Sequence, residues 1–357
     1  MSRLKLLKLM VKGYLKSYRK KVKVKEDEPI DFVVTWVDGN DSQWKKERNK
    51  YMKKENEDGN GKCRYQSWDY FMYWFRAVEK YAPWVRNVYL VTCGHVPEWI
   101  NIESPRLKIV KHTDFIPEEY LPTFNCNTIE VNLFRIPGLS ENFVYFNDDV
   151  LLCRPVEKSD FFVEGKPRHT AVAVPHINRD NEMPYHLFFN TYGVINKYND
   201  IQKCIEQYPE KWFSHVYKAA IKHNMYAWEY AGLPGIFFSH MATPFCKSTM
   251  QKTWNKYRNI CVNTCLHKFR NINQITHQIF SIEDILNGNF YPIKEEWGNC
   301  IALENTVEIR NAYKYRKKKM ICLFDRDDFT EEEIKLINQE TMAVFQEFMP
   351  QKSLFEL

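Results

Sequence analysis

Segments typical of strands and of helices alternate through the first half of this chain. Four segments are short, apolar and rich in β-branched and aromatic side chains, as expected of buried strands, namely 30–37 (IDFVVTWV), 87–92 (NVYLVT), 107–111 (LKIVK) and 143–147 (FVYFN). Helices are predicted between them over 42–57, 67–81 and 127–136. This alternation predicts an α/β fold, a Rossmann-like and mostly parallel sheet with helices on both faces.

The second half of the chain contains fewer segments typical of strands from about residue 200 onward. Residues 201–232 and 247–288 predict helices, and a strand at 319–323 (KMICL) and a helix over 330–348 close the chain. We therefore expect four regions, namely a basic arm over 1–28, an α/β core over 29–200, a mostly helical subdomain over 201–300 and a C-terminal strand and helix over 301–357 that complete the core.

The basic character of the chain belongs to its first residues. Residues 1–25 carry ten Lys or Arg and no acid, whereas the remainder holds 41 basic and 45 acidic residues. Apolar residues recur there at helical spacing with lysines between them, namely Leu4, Leu7, Val11, Tyr14, Leu15 and Tyr18. This pattern predicts a helix that lies on an anionic membrane surface. A solvated basic helix or a nucleic-acid contact is the alternative, and the mildly acidic body disfavours nucleic acid.

No sequence signal predicts export or membrane spanning. The uncharged runs near the start are too short to cross a bilayer, and no cleavage site follows an apolar stretch. The ten cysteines lack the paired spacing of a zinc ribbon, and Cys261 and Cys265 have no second pair nearby. We therefore expect reduced thiols and a cytoplasmic protein.

Acidic residues follow two of the predicted strands. Asp38 comes after the first strand, and Asp148 and Asp149 come after the strand at 143–147. Ligands bind outside the carboxyl ends of strands in open α/β sheets. Two carboxylates a few ångströms apart repel by about 4 kcal/mol at an effective dielectric constant of 20, and a divalent cation relieves that repulsion. Strand alternation predicts that only one of Asp148 and Asp149 faces the ligand, and the alternative is that both are turn or helix-capping acids.

Three further candidates have ordinary structural explanations when each is taken alone. Glu130 in TIEVNLFRI is compatible with a solvated helix face, His240 in FFSHMATPF with a core histidine, and Arg270 in CLHKFRN with a surface cation. Their residue types suit phosphate chemistry, but spacing alone does not single them out.

Together these segments resemble the Stealth family of sugar-1-phosphate transferases, which includes bacterial capsular polysaccharide phosphotransferases and the animal N-acetylglucosamine-1-phosphotransferase. The similarity lies in four blocks, namely 30–44 (IDFVVTWVDGNDSQW), about 64–149, SHMATPF with CLHKFRN, and MICLFD with FMPQKSLFE. These blocks cover nearly everything from residue 30 onward except about 160–235. The resemblance implies a glycosyltransferase-A-like core that binds a nucleotide sugar and a helical subdomain that supplies catalytic groups.

The resemblance also implies roles for particular residues. Its catalytic positions fall on Glu130, Asp149, His240 and Arg270, and Asp149 is the expected ligand of Mg²⁺ or Mn²⁺. Its substrate-binding positions fall on Trp36, Asp38 and Gly39, which are expected to line the nucleotide pocket, and on Arg76. Two departures stand out, because Cys126 occupies a position where many members have Ser, and Phe324 one where Asn often precedes the acid at 325.

The implied reaction moves the sugar 1-phosphate of a UDP-sugar to a hydroxyl of an acceptor glycan and releases UMP. His240 is expected to accept the hydroxyl proton or to contact the transferring phosphoryl group, while Glu130 either acts as the base instead or orients His240. The lack of a membrane span favours the bacterial capsule type, with a lipid-linked acceptor at the inner face of the membrane. The alternatives are a metal-dependent glycosyltransferase that releases UDP, and a membrane-associated glycan-binding protein with an inert site.

Overall fold

The computed structural model describes residues 3–19, 28–53, 60–177, 183–294, 297–315 and 317–357. The helices are α1 (Arg3–Arg19), α2 (Ser42–Tyr51), α3 (Phe71–Tyr81), α4 (Cys126–Asn132), α5 (Lys158–Phe161), α6 (Met183–Tyr198), α7 (Ile201–Gln207), α8 (Pro209–Trp212), α9 (Ile221–Glu229), α10 (Lys247–Lys256), α11 (Arg258–Leu266), α12 (Gln278–Leu286), α13 (Thr306–Tyr315) and α14 (Glu331–Phe348). The strands are β1 (Ile30–Thr35), β2 (Val88–Thr92), β3 (Leu107–Lys111), β4 (Asn142–Asn147), β5 (Val150–Leu152), β6 (Phe162–Val163), β7 (Lys166–His169), β8 (Thr243–Cys246), β9 (Tyr291–Pro292), β10 (Gly298–Ala302) and β11 (Met320–Phe324).

Most of the elements predicted from the sequence are present near their expected bounds. Strands β1 to β4 and β11 and helices α2, α3, α4 and α14 correspond to predicted segments. The predicted helix over 42–57 ends at Tyr51, and residues 54–57 of that prediction lie outside the described residues. Side-chain caps fix two of the helix starts. Asp41 accepts a hydrogen bond from the backbone N–H of Trp44 at 2.6 Å, and Thr330 and Glu333 form a reciprocal capping box.

The main sheet has five strands in the order β3-β2-β1-β4-β8. The first four are parallel, and β8 is antiparallel to β4. Alternate residues of β1 pack into different clusters, because Phe32 and Val34 contact the layer of α3 and α14 while Val33 packs on the opposite face with α10 and α12. The predicted α/β fold with a mostly parallel sheet and helices on both faces is confirmed.

Strand β8 lies inside the segment predicted to be a helical subdomain. Its Phe245 pairs with Phe143 of β4, and both rings are fully buried. Helices α10 and α12 then pack on the same face of the main sheet. Residues of the region over 201–300 therefore share a hydrophobic cluster with one face of the main sheet.

A second sheet, in the order β10-β11-β5, meets the first at the acidic turn. Strand β4 ends at Asn147, Asp148 and Asp149 form a turn, and β5 continues antiparallel to β11. The backbone N–H of Leu323 donates to the carbonyl oxygen of Asp149 at 2.9 Å. Asp149 consequently lies at the junction of two sheets whose strands are distant in sequence.

Helix α1 docks on the body of the protein through one face. Leu6 is buried, Lys5 and Lys16 pair with Glu206 and Glu210, and Ser17 contacts His215. Five of the apolar residues predicted to form a stripe are exposed on the opposite side, namely Leu4, Leu7, Val11, Tyr14 and Leu15. Tyr18 is also exposed, but its ring stacks on His215 of the body at 4.1 Å. Residues 1, 2 and 20–27 of the predicted basic arm over 1–28 lie outside the described residues. Within the described ranges, none of the helices combines the length and apolar character needed to cross a membrane.

Candidate active site

A cavity of about 300 Å³ opens at the carboxyl ends of β1 and β4. Its walls come from the loop after β1, the start of α3, α4, α6, the loop before α12 and the end of β11. The titratable and charged side chains that line it are Cys63, Arg64, Tyr70, Cys126, Glu130, Asp148, Asp149, His240, Arg270, His277 and Asp325. All four residues with predicted catalytic roles, Glu130, Asp149, His240 and Arg270, are therefore brought to one place.

Three aspartates share one wall of this cavity. Asp148 and Asp149 both line it, which corrects the expectation that strand alternation would separate them, because they occupy a turn and not a strand. Asp325 adjoins them and accepts a hydrogen bond from Nε1 of Trp68 at 3.0 Å. Burial and the neighbouring charges of Asp149 and Asp325 raise the pKa of Asp148 to about 8, and burial raises the pKa of Asp149 and of Asp325 as well.

The surroundings of Asp149 fit a divalent cation. Its Oδ1 is buried without a hydrogen-bond partner among the described residues. Potential ligand atoms of Asp149, His240 and Cys322 lie within 4.8 Å of one another. A hydrogen bond with Cys300 and burial raise the pKa of Cys322, which therefore stays a neutral thiol. The remaining donors are carboxylate oxygens and an imidazole, a set suited to Mg²⁺ or Mn²⁺.

Glu130 pairs with a histidine that sequence reasoning missed. Nδ1 of His277 lies 2.7 Å from Oε2 of Glu130, and the hydroxyl of Tyr145 lies 3.1 Å from Oε1. Burial alone would raise the pKa of Glu130, but the charge and hydrogen bond of His277 together with the charge of Arg270 outweigh burial and lower it. His277 stands in ITHQIF without a motif of its own, so nothing in its local sequence marked it.

Arg270 is held by a thiol and by a buried amide. Its Nε and Nη2 donate to Sγ of Cys126 at 3.1 and 3.0 Å. Its backbone N–H donates to Oδ1 of Asn60, whose Nδ2 donates back to the carbonyl oxygen of Arg270. Burial raises the pKa of Cys126 although Arg270 opposes that effect, so the thiol stays neutral. The guanidinium is thereby oriented without being neutralised, and Nη1 makes no hydrogen bond within the described part of the chain.

Gln274 fixes the loop that carries both Arg270 and His277. Its side chain is fully buried, and Oε1 accepts from Nδ2 of Asn127 and from the backbone N–H of Asn271. Its Nε2 lies within hydrogen-bonding distance of the carbonyl oxygens of Thr264 and Phe269. Because Asn127 lies on α4 with Glu130, this amide ties the two catalytic walls together.

The loop after β1 supports the cavity wall and contributes Val37 to the lining. Val37 contacts the cavity, whereas Nε1 of Trp36 donates to Ser67 and the backbone N–H of Asp38 donates to Nε2 of His95. A Cβ at Gly39 would lie 2.1 Å from the carbonyl oxygen of Tyr65, so only glycine fits there. Trp36, Asp38 and Gly39 are thus next to the cavity without reaching into it.

Arg76 lies elsewhere. Its side chain is buried between α3 and the C-terminal segment, where Nη2 pairs with Glu356 at 2.7 Å and Nη1 donates to the carbonyl oxygen of Met349 at 2.8 Å. It does not line the cavity. The substrate contact predicted for Arg76 is not supported by this position, because the guanidinium is engaged in joining the chain end to the core.

Comparison with solved structures finds only weak likeness. The galactosyltransferase LgtC matches over 88% of this chain and 95% of its own, with a TM-score of 0.35 and 8% identity. The bifunctional glycosyltransferase WbbM matches over 90% of this chain and 52% of its own, with a TM-score of 0.37 and 9% identity. Likeness at this level carries no argument about activity.

Sequence comparison is far more informative. The capsular polysaccharide phosphotransferase WcwK of Streptococcus pneumoniae is 40% identical over 331 residues, which are 92% of this chain and 98% of that protein. The receptor polysaccharide phosphotransferase WefC of Streptococcus gordonii is 35% identical over 92% of this chain and 99% of its own. The exopolysaccharide phosphotransferase cps2G of Lactiplantibacillus plantarum is 34% identical over 92% of this chain and 96% of that protein.

Two family models match segments that build the cavity and its surroundings. Residues 28–55 match Stealth protein conserved region 1, and residues 64–169 match Stealth protein conserved region 2. The second match includes Glu130 and Asp149, and the first includes the loop after β1. Together with the near full-length identity to polysaccharide phosphotransferases, these matches confirm the resemblance found in the sequence, and the chain belongs to the Stealth family.

Proposed function

We propose that this protein transfers a sugar 1-phosphate from a UDP-sugar to a hydroxyl of an acceptor glycan during synthesis of a capsular or other cell-surface polysaccharide. The phosphotransferase relatives support the reaction class. The observation that carries the proposal is the single cavity in which three aspartates meet Arg270 and two histidines. Phosphoryl transfer depends mainly on positioning and on balancing charge over phosphate oxygens, and these groups supply both.

Asp149 and His240 are the proposed ligands of a Mg²⁺ or Mn²⁺ ion, with Asp148 and Asp325 beside them. The orphaned Oδ1 of Asp149 and the raised pKa of all three acids support this assignment, since a cation relieves both conditions. When bound, the ion neutralises the pyrophosphate of the donor. His240 lines the same cavity and is exposed, so its imidazole would also be near the phosphates of a bound donor.

Arg270 is proposed to bind the phosphoryl group that is transferred. Its orientation by the neutral thiol of Cys126 and its planar set of donors suit phosphate oxygens, and Arg64 lines the same cavity. The acceptor oxygen forms a bond to the sugar-side phosphorus, the bond from that phosphorus to the UMP oxygen breaks, and the acceptor proton passes to a base. No bond at the anomeric carbon breaks, so the anomeric configuration of the sugar is retained in the product.

The donor nucleotide is proposed to lie against the loop of Trp36, Asp38 and Gly39. The loop forms part of the cavity wall through Val37. Trp36 and Asp38 make hydrogen bonds away from the cavity, because Nε1 of Trp36 donates to Ser67 and the backbone N–H of Asp38 donates to His95. Gln66 and Trp68 continue the same wall.

Helix α1 is proposed to attach the enzyme to an anionic membrane surface, where a lipid-linked glycan is the acceptor. The outward stripe leaves Leu4, Val11 and Leu15 more than half exposed. Lys8 and Lys12 flank the stripe and make no ion pair within the described residues. On an anionic bilayer the apolar side chains would enter the boundary between headgroups and acyl chains, and the lysines would contact the anionic headgroups.

The released nucleotide tests the proposed reaction. The purified protein is incubated with a panel of UDP-sugars, Mn²⁺ and a candidate glycan, and the nucleotide product is identified by mass. UMP with a phosphodiester in the glycan is the expected result. UDP would replace the proposal with glycosyl transfer, and no turnover with any donor would favour a glycan-binding protein with an inert site.

A further inference from the structure

We propose that His277 is the base that accepts the proton of the acceptor hydroxyl, that Glu130 positions it, and that Thr276 and Gln278 bind neighbouring hydroxyls of the acceptor sugar. This inference rests on the proposed phosphotransfer and deepens it, because it assigns the acceptor side of the cavity. It gives the base role to a different histidine from the one that the sequence suggested.

The contact with Glu130 fixes the tautomer of His277. The lowered pKa of Glu130 makes it a carboxylate near neutral pH, which can only accept hydrogen bonds. The proton in the 2.7 Å contact must therefore reside on Nδ1 of His277. When His277 is neutral, a proton on Nδ1 leaves a lone pair on Nε2, which is the arrangement that a base needs. The charged His277 that lowers the pKa of Glu130 is the imidazolium present after Nε2 has taken up a proton.

The position of His277 leaves Nε2 available. The side chain is 20% exposed and lines the main cavity. It also lines a smaller adjoining cavity of about 40 Å³, together with His240, Gln278 and Ser281. Across the part of the chain that the structure describes, Nε2 forms no hydrogen bond.

Unsatisfied polar atoms surround His277. Oγ1 of Thr276, Oε1 of Gln278 and Oγ of Ser281 are buried without a partner among the described residues. Buried polar atoms without partners are costly, and a ligand with several hydroxyl groups is the partner that this set matches. Pro184, Leu187 and Phe188 of α6 add an apolar wall to the main cavity, as expected for the less polar face of a sugar ring.

The two histidines consequently have different tasks. His240 is assigned to the metal site with Asp149, since their potential ligand atoms lie within 4.8 Å. His277 is assigned to proton transfer, since its Nδ1 contacts Glu130. As the acceptor oxygen bonds to the sugar-side phosphorus, its proton moves to Nε2 of His277, UMP departs with the electrons of the broken P–O bond, and His277 later releases the proton to solvent.

Replacing His277 by Asn tests the base directly. The Asn amide can still donate a hydrogen bond to Glu130, as Nδ1 of His277 does. It has no atom in place of Nε2 that could accept a proton. We expect the transfer rate to fall at least 100-fold, as for loss of a general base, while the dissociation constant for UDP-sugar, measured by calorimetry with Mn²⁺, changes less than threefold. His223→Asn on α9, outside the cavity lining, is the matched control. A His277→Asn rate within threefold of wild type would overturn the assignment.

Replacing Glu130 by Gln separates a positioning residue from a base. The titratable groups facing the imidazole are Glu130 of α4 and Tyr145 of β4, with His240 and Arg270 on other walls of the cavity. Loss of the carboxylate destabilises the imidazolium, so the acidic limb of the kcat/KM profile should move to lower pH while partial activity remains. If Glu130→Gln lost the acidic limb of the kcat/KM profile entirely and transferred more slowly than His277→Asn, Glu130 would be the base instead.

Gln278→Leu tests the acceptor subsite. The KM for the acceptor glycan should rise about tenfold with the donor KM unchanged, and the opposite pattern would place the donor there. The nucleotide is identified in every reaction. UDP from the wild-type protein would refute the phosphotransfer itself, whereas UMP from both wild type and an undiminished His277→Asn variant would refute only the role of His277.

Discussion

At Asp149 the demands of folding oppose those of the proposed metal site. Its carboxylate is placed beside Asp148 and Asp325, and burial raises the pKa of all three. In the absence of a cation this repulsion destabilises the folded state. We therefore expect Asp149→Asn to unfold at a temperature no lower than wild type in metal-free buffer.

The same substitution should abolish function. Transfer should fall more than about 100-fold, because loss of an outer-shell partner alone typically costs 10–100-fold. Mn²⁺ at 100-fold above its dissociation constant should stabilise wild type by about 2.7 kcal/mol but leave Asp149→Asn unchanged in thermal denaturation. Glu118→Gln, an acid outside the cavity lining, is the control. Undiminished Mn²⁺ stabilisation of Asp149→Asn would remove this residue from the metal site.

Cys126 gives a second prediction at this scale, since its neutral thiol orients Arg270. Cys126→Ser keeps a neutral acceptor and should retain activity within about threefold. Cys126→Asp would pair with Arg270 and compete with the phosphate for its charge, so the rate should fall at least tenfold. Steady-state kinetics on both variants distinguishes these outcomes. Equal activity of the two variants would show that the charge of Arg270 is not needed for transfer.

How far the sequence predicts the site differs from residue to residue. Asp149 and Arg270 were predicted because they lie in motifs that resemble a known family. Glu130 was predicted as well, but its partner was not, because a histidine in ITHQIF has no local feature that distinguishes it from a core residue. His277 meets Glu130 only when the segment before α12 packs against α4. Arg76 is held away from the cavity by its pair with Glu356, which likewise depends on packing between distant segments.

At the scale of elements, α1 presents apolar residues on two opposite faces. One face packs on the body through Leu6, and the other is open. The triple variant Leu7→Gln, Val11→Gln and Leu15→Gln should leave the docked face intact and the protein folded. Binding to anionic liposomes should fall more than about tenfold, because each buried aliphatic side chain contributes about 1.5–3 kcal/mol.

Flotation with liposomes measures this binding. The control changes two equally exposed apolar residues on other helices, Val307→Gln and Leu336→Gln, and should bind like wild type. Liposome binding by the triple variant equal to that of the control would exclude α1 as the attachment element.

The loop before α12 depends on Gln274 for its shape. Gln274→Leu preserves volume but leaves Asn127, Asn271 and two carbonyl oxygens without their partner. Each lost buried partner costs about 1–3 kcal/mol, so the free energy of unfolding in urea should drop by at least about 2 kcal/mol. Gln43→Leu on exposed α2 should change stability by less than about 0.5 kcal/mol. A stable and fully active Gln274→Leu variant would contradict the role of this amide.

Element prediction from the sequence succeeded where the pattern was long and periodic. Strands β1, β2 and β4 are almost entirely buried and rich in apolar residues, and α14 has both an amphipathic pattern and a capping box. Strands β5 to β10 were missed because they are at most five residues long and take their pairing from distant partners. The TPFC segment of β8, for example, becomes a strand only because β4 offers an open edge.

At the scale of the whole molecule, the pair of Arg76 and Glu356 joins α3 to the chain end. Both side chains are less than 10% exposed. Burial would raise the pKa of Glu356, but hydrogen bonds from Arg76 and Ser353 lower it below its ordinary value. The pair therefore stabilises the fold above the unfolded pKa of about 4.3, and this contribution is lost as pH falls through the lower folded pKa.

Glu356→Gln should lower the free energy of unfolding by about 3 kcal/mol at pH 7, because Arg76 is left buried and unpaired. The difference from wild type should narrow as pH is lowered from 5 to 3, where Glu356 itself becomes neutral. Urea unfolding at several pH values measures both effects. A difference independent of pH would mean that the ion pair is not its source.

The meeting of two sheets at Asp149 has a consequence for biosynthesis. Asp149 is translated well before β11, which hydrogen-bonds to its backbone, and before Asp325, which adjoins it in the cavity wall. A nascent chain cannot complete this wall until β11 and Asp325 have been translated. We therefore expect a product truncated before β11 to lack this wall of the cavity.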